Sequence, residues 1–365
     1  MGLKCGIVGM PNVGKSTLFN CLSNAQALAA NYPFATIEPN IGVVNVPDER
    51  LNVLERIVNP QRVVPTTVEI VDIAGLVAGA SKGEGLGNQF LGNIRDTDAI
   101  LHVIRCFDND NIVHVNGSVN PVRDKEIIDI ELQLKDLESV EKKINKLQRA
   151  ANAGDKEAHR TVDILNIYKE HLEHGKSART APVEDKDRFA IEDLNLLTAK
   201  PVLYVCNVDE DSAASGNAYT QALQNAIKDE DAEVLIISAG LEADIMQLES
   251  YEERLEFLQT MGLQEPGIVR LIASSYKLLK LLTYFTAGEK EVRAWTITQG
   301  TKAPQAAGVI HSDFERGFIR AEVMQYDDFV KYGSESAARE AGKLHIEGKE
   351  YVVKDGDIMH FRFNV

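Results

Sequence analysis

Gly9-Met10-Pro11-Asn12-Val13-Gly14-Lys15-Ser16 stands between a short apolar run at residues 3–8 and a helix-forming segment that starts at Lys15. It matches GxxxxGK[ST] in full, with a strand before it and a helix after it, the context its chemistry requires. Backbone N–H groups of Asn12, Val13, Gly14, Lys15, Ser16 and Thr17 can cradle the α- and β-phosphates of a nucleotide, helped by the positive end of the helix. Lys15 supplies a fixed cation at the β/γ-phosphates, and Ser16 a hydroxyl for Mg²⁺. Strand, phosphate loop and helix make the first unit of an α/β fold.

The rest of the chain extends that unit. Strands are expected at residues 41–46, 68–71, 99–106, 201–206 and 233–237, with a helix near 88–95. Nearly continuous apolar strands alternating with helices predict a doubly wound, mainly parallel sheet. Between the strands at 99–106 and 201–206 the pattern changes to two helices over 124–174, broken at Asn152-Ala153-Gly154-Asp155. Ile130, Leu134, Leu137, Val140, Ile144 and Leu147 recur at spacings of four and three, and Ala158, Val162, Leu165 and Leu172 follow suit. That is the seam of an antiparallel helical hairpin or short coiled coil, either an arm for a partner or a structural insertion. Beyond residue 282, short strand-like runs at 294–298, 307–310, 318–323, 351–353 and 358–363, with one helix near 334–341, predict a small α+β unit. The expected division is 1–123 and 198–280 for the two parts of a P-loop NTPase domain, 124–197 for the hairpin and 281–365 for the C-terminal unit.

Further chemistry falls where the phosphate loop needs it. Asp72 ends the run Val68-Glu69-Ile70-Val71 and is placed to hold Mg²⁺ through a water. Asp72-Ile73-Ala74-Gly75 is a DxxG arrangement, in which the Gly75 N–H senses the γ-phosphate. Thr36, between the first helix and the second strand, offers a hydroxyl to complete the magnesium shell and order its loop in the triphosphate state. Guanine-specific proteins of this fold carry NKxD after the fourth main strand. Here the place reads Asn207-Val208-Asp209-Glu210, with Val for Lys and Glu for the final Asp. The longer Glu210 side chain moves the carboxylate by about a bond length, and mismatched hydrogen-bonding groups cost several powers of ten in selectivity. ATP is therefore expected over GTP, with Val208 packing on the purine and Ser238-Ala239 approaching it by main-chain N–H groups. Leu76 stands where many such hydrolases have a water-orienting Gln. Catalysis must then come from another side chain, a partner or a monovalent cation such as K⁺; His114, after the strand at 99–106, is the candidate side chain.

Of 365 residues, 39 are Lys or Arg and 55 are Asp or Glu, a net charge of −16. That excludes a chain that coats nucleic acid or anionic membrane through bulk charge. The excess is uneven: residues 198–280 carry 6 basic and 14 acidic side chains, whereas 124–197 carry 13 and 17 and 281–365 carry 11 and 13. Local basic faces on the latter two segments remain compatible with RNA. Four cysteines without a CxxC or Cys/His spacing are expected as buried free thiols in a reducing, cytoplasmic setting. Neither a signal peptide nor an 18-residue apolar run is legible, so no membrane partner is expected.

The segments GMPNVGKS (9–16), YPFATIEPN (32–40), DIAGLVAGASKGEGLGNQFLGNIRDTDAI (72–100) and NVDE (207–210) resemble the Obg-related P-loop proteins, specifically their YchF branch of Obg-like ATPases. The long Gly-rich stretch after Asp72 is the Obg-type feature, and NxxE in place of NKxD marks the branch. The resemblance covers nearly the whole chain, including the hairpin and a C-terminal TGS domain of β-grasp fold, to which residues 291–295, 311–322 and 351–363 are similar. It implies a slow, Mg²⁺-dependent ATPase that binds the ribosome, chiefly its large subunit, with roles in translation or stress response; rRNA is an expected partner and a monomer the expected state, although the sequence itself does not give the oligomeric state. Asn12 to Thr17 then bind phosphates, Ser16 and Thr36 bind Mg²⁺, and Val208 with Glu210 lie at the adenine. Two other readings stand beside it: a conventional GTP-dependent switch, and a ribosome-binding protein in which nucleotide is structural.

Overall fold

The computed structural model describes residues 3–24, 37–38, 41–73, 86–230, 232–248 and 250–364. The chain runs β1 (Lys4–Val8), α1 (Lys15–Asn24), β2 (Ile37–Glu38), β3 (Ile41–Asn45), α2 (Glu49–Val58), β4 (Val63–Val64), β5 (Thr67–Asp72), α3 (Leu86–Arg95) and β6 (Ala99–Arg105). Two long helices follow, α4 (Pro121–Asn152) and α5 (Lys156–Glu173). Then come β7 (Val202–Asn207), α6 (Ala218–Ala226), β8 (Glu233–Ile237), α7 (Ala239–Gln247), α8 (Tyr251–Thr260) and α9 (Gly267–Leu278). The last part holds β9 (Leu281–Ala287), β10 (Val292–Thr298), α10 (Ala303–Ile310), α11 (Ser312–Arg316), β11 (Phe318–Gln325), α12 (Tyr326–Tyr332), α13 (Glu335–Glu340), β12 (His345–Glu347) and β13 (Asp357–Phe363).

The first sheet has the order β2-β3-β5-β1-β6-β7-β8. β5, β1, β6, β7 and β8 are mutually parallel, and β3 and β2 add an antiparallel edge. β6 and β7 are buried at every residue, as expected of strands covered on both faces, which explains their unbroken apolar runs. From β1 the chain winds first toward β5 and then, from β6, in the opposite direction. The crevice at the carboxyl ends of β1 and β6 is where such a sheet binds its ligand. The phosphate loop leaves β1 at that point. This α/β architecture is the one the strand pattern implied.

The helical break falls where the sequence put it: Asp155 caps α5 by accepting from the Glu157 and Ala158 N–H groups. The seam is different. Ile130 and Leu134 are 50% and 40% exposed, because the root of α4 packs on the first sheet through Ile128 and Leu132. The buried stripe therefore runs 128, 132, 136, 140 and meets α5 only from Leu137 and Val140 onward, against Ile164, Leu165 and Tyr168.

The second sheet has the order β12-β11-β13-β9-β10-β4. β4 joins it from the N-terminal third, and Leu51 and Leu54 of α2 pack beneath Phe285, Met324 and Ile358. Residues 1–123 thus contribute to both sheets. Residues 307–310, expected as a strand, end the helix α10 instead, which Pro304 opens in its first turn and which buries Ala303, Ala306 and Ala307. Residues 351–353 form no strand, only a bridge between Val352 and Lys302. All four cysteines are buried and free. Among the described residues no helix is long and apolar enough to cross a membrane.

Candidate active site

The phosphate loop is shaped by two close approaches. A Cβ on Gly9 would lie 2.3 Å from the Val103 carbonyl oxygen of β6. Gly14 sits at φ +96°, and a Cβ there would lie 2.3 Å from Asn207 Nδ2; both positions require glycine. Asn207 is 3% exposed. Its Nδ2 donates to the Val13 carbonyl, and its Oδ1 accepts from the Ala239 N–H, each at 2.9 Å. The first residue of the NVDE stretch therefore clamps the phosphate loop to the start of α7.

Lys15 is buried and donates to the Met10 carbonyl at 2.8 Å. In the parallel register Ile7 faces Asp72, which brings the carboxylate to the end of the strand that feeds the loop. Burial lowers the Lys15 pKa against the pull of Asp72. Burial likewise raises the Asp72 pKa against the pull of Lys15. Asp72 Oδ1 is buried with no hydrogen-bond partner among the described residues. A buried carboxylate oxygen left unpaired is costly unless something binds it, and the oxygen-donor chemistry of Asp72 suits a hard cation such as Mg²⁺. Thr36, Gly75 and Leu76 lie outside the described residues.

A cleft of about 460 Å³ opens beside the loop, within the usual range for small-ligand sites. It gathers Asn12, Gly14, Thr17, Asn207, Val208, Glu210, Ser238 and Ala239 from three separate turns. Val208 is 3% exposed and belongs to the core, so its side chain supports the cleft wall more than it presents a free surface. Glu210 is exposed. Ser238 caps α7 by accepting from the Leu241 N–H. From the segment after β6 sequence reasoning took only His114 and missed Phe107, Asp108, Asn109 and Ile112, which also line the cleft. Arg105, 2% exposed, holds that segment by donating to the carbonyls of Phe107, Ile112 and Asn109 at 3.0, 2.9 and 3.1 Å. The signal was available, because residues after the carboxyl end of a central strand border the crevice.

His114 lies on the same segment but does not line the cleft. Its Nδ1 accepts from the Asn116 N–H at 3.1 Å, so the ring proton is on Nε2 and is donated to Asp124 at 2.8 Å. In this conformation both ring nitrogens are engaged by protein. The segment still touches the loop, since Asn12 Nδ2 donates to the Val113 carbonyl at 3.2 Å.

Comparison with known proteins gives a consistent result. Residues 4–149 match a family described as "50S ribosome-binding GTPase", and residues 281–364 match the YchF-GTPase C-terminal family, described as a protein of unknown function. The chain is similar over its full length, and that of the relative, to proteins named ribosome-binding ATPase YchF. It is 57% identical to that of Haemophilus ducreyi, 55% to that of Escherichia coli O157:H7 and 54% to that of Bacillus subtilis. Among solved structures, the YchF GTPase of Schizosaccharomyces pombe superposes with a TM-score of 0.89 at 41% identity, covering 99% of this chain and 98% of that one.

Proposed function

The chain belongs to the YchF family of Obg-like P-loop ATPases, and from that membership we propose a Mg²⁺-dependent ATP hydrolase whose nucleotide state sets its affinity for the large ribosomal subunit. It is a nucleoside triphosphatase that associates with the ribosome. The observation that carries the catalytic reading is a buried Lys15 inside the phosphate loop whose charge acts on Asp72, with the Asp72 Oδ1 buried and without a hydrogen-bond partner among the described residues.

In this reading the loop N–H groups of Asn12 to Thr17 bind the α- and β-phosphates, and Lys15 leaves the Met10 carbonyl to neutralise charge developing on the β/γ-bridge. Ser16, Asp72 and Thr36 are the residues to hold Mg²⁺, which when bound screens the phosphate oxygens and withdraws electron density from the breaking bond. Gly75 contributes its N–H at the γ-phosphate. Val208 and Glu210 border the base, with Ser238 and Ala239 opposite. The replacement of NKxD by NVDE supports adenine over guanine, because Glu210 does not reproduce the two-point clamp on guanine N1–H and N2–H₂. His114 orients the attacking water once its ring is released from Asp124.

Titration calorimetry with ATP and GTP, each with Mg²⁺ and with EDTA, tests the assignment. ATP binding that needs Mg²⁺ and exceeds GTP binding is expected; equal affinity for both nucleotides would overturn the base argument. Ribosome sedimentation in the apo, ADP and non-hydrolysable ATP states tests the switch, which fails if retention is equal in all three.

A further inference from the structure

β6 and β7 end side by side, with Arg105 opposite Asn207 in the register, and each turns a buried side chain to a different loop. Asn207 holds the phosphate loop. Arg105 holds the rim formed by residues 107–112, donating from Nε to the Phe107 carbonyl and from its two terminal nitrogens to the Ile112 and Asn109 carbonyls. Its guanidinium also lies 4.6 Å from the Phe107 ring centroid. Among the described residues no carboxylate lies within ion-pair distance of it, and its hydrogen bonds all go to this one turn of chain.

A buried guanidinium without a counter-ion is costly, and an apolar side chain would fill the space at lower cost if packing alone were at stake. What the guanidinium supplies instead is a rigid fork of donors. Carbonyls that converge on one fork fix the path of the chain between them. With those carbonyls turned inward, Phe107, Asp108, Asn109 and Ile112 line the cleft. They share it with Asn207 to Glu210 and with Ser238 and Ala239, whereas neither Lys15 nor Ser16 lines it. The rim therefore belongs to the nucleoside half of the site rather than to the reacting γ-phosphate. Its ends are tied down separately: Asn217 Nδ2 donates to the Cys106 carbonyl at 2.8 Å and Asn12 Nδ2 to the Val113 carbonyl at 3.2 Å. Arg105 acts between them.

We propose that Arg105 is a positioning residue for nucleotide recognition, which sets the affinity for the base and ribose of ATP by fixing the 107–112 rim. At 2% exposure it does so without touching the nucleotide. The proposal rests on the reading of this cleft as the nucleotide site. A rim held in one conformation before substrate arrives spares the ordering cost of binding, so its loosening weakens binding and leaves the chemistry at the γ-phosphate as it was.

The test compares Arg105→Met and Arg105→Lys with the parent, as full chains, by calorimetry with two Mg²⁺-loaded probes. One is a non-hydrolysable ATP analogue; the other is tripolyphosphate, which carries the phosphates without base or ribose. Arg105→Met should bind the analogue about tenfold more weakly, the scale of one hydrogen-bonding contact, while its tripolyphosphate affinity stays at the parent's value. Arg105→Lys keeps the charge and part of the donor set, so it should lose less. Steady-state kinetics gives the same split without tripolyphosphate: KM should rise by the same factor with kcat held. Equal weakening toward both probes, or a fall in kcat with KM unchanged, would overturn the proposal and leave Arg105 a purely structural role. Should Arg105→Met fail to fold, Arg105→Lys decides alone. A parent that binds the analogue, matched by both variants, defeats the role of Arg105 only. A parent that does not bind it defeats the nucleotide-site reading itself, and this proposal with it.

Discussion

His114 donates its Nε2 proton to Asp124 across 2.8 Å, joining the segment that borders the nucleotide cleft to the first turn of α4. Asp124 is 2% exposed and also accepts from Arg123. If the ring orients water only after leaving Asp124, the two residues compete for it. His114→Ala should then lower kcat about 10²-fold with KM changed less than about threefold, while Asp124→Asn, which weakens the competing acceptor, should not lower kcat. Equal losses in both variants under single-turnover kinetics would assign His114 a purely structural role.

Lys15 is the one cation of the phosphate loop, and the Met10 carbonyl holds it in place until substrate arrives. Lys15→Ala removes the charge without disturbing Gly9 or Gly14, whose conformations set the loop. Turnover should fall about 10²–10³-fold, the usual loss for one preorganised charge donor, with the melting temperature nearly unchanged. Retained turnover in a malachite-green phosphate assay would remove Lys15 from the mechanism.

What the sequence made legible was what is local. The phosphate loop is one contiguous motif between a strand and a helix, so its backbone is dictated by neighbours in the chain. The hairpin break is equally local, because Gly154 and the capping Asp155 act within one turn. What escaped was assembled from distant segments. Lys125 pairs with Asp129 and Glu230 at 2.6 Å each, and Arg179 and the Tyr204 hydroxyl reach the same Glu230 at 2.8 Å. This network roots α4 on the first sheet, yet its members are spread over a hundred residues with no spacing to betray them. Ile130 and Leu134 fall outside the seam for a related reason. An apolar period identifies a helix but not which neighbour it faces, and α4 changes neighbour along its length. β4 joins the second sheet through two residues, too few to carry a pattern.

Glu210 carries the base-selectivity argument, and it is exposed at the cleft whereas Val208 is part of the core. Placing Lys at position 208 would push a cation among buried side chains, so its effect on selectivity would be mixed with instability. Glu210→Asp alone is the cleaner variant. The ratio of kcat/KM for ATP over GTP should fall at least about tenfold, the scale of one misplaced methylene. An unchanged ratio would move base selection to the main chain at Ser238 and Ala239.

Asp136 of α4 accepts from the Leu197 and Thr198 N–H groups and the Thr198 hydroxyl, each at 2.7 Å. It is fully buried and ties the chain before β7 to the hairpin. In Asp136→Asn the amide turns an NH₂ toward one of these donors and leaves it unpaired, at a cost of about 1–3 kcal/mol. Chemical denaturation should report that loss, and hydrogen exchange should localise it to residues 196–199. Nucleotide affinity should be unaffected, since none of these groups lines the cleft.

Asp72 sets the expected response to pH. Burial holds its carboxyl above the ordinary carboxylate range, with Lys15 pulling it down, so in the free protein it takes up a proton at higher pH than an exposed aspartate. The protonated form has lost the charge that a metal ion needs. Raised above its unfolded value, the ionised group lowers fold stability as pH rises through the folded pKa, while Mg²⁺-supported hydrolysis rises over the same interval. Stability and activity should therefore run in opposite directions across the Asp72 titration. Asp72→Asn should abolish the acid limb of kcat/KM, lower Mg²⁺ affinity at neutral pH, and keep or raise the melting temperature there. A variant that melts lower and retains the acid limb would place the titrating group elsewhere.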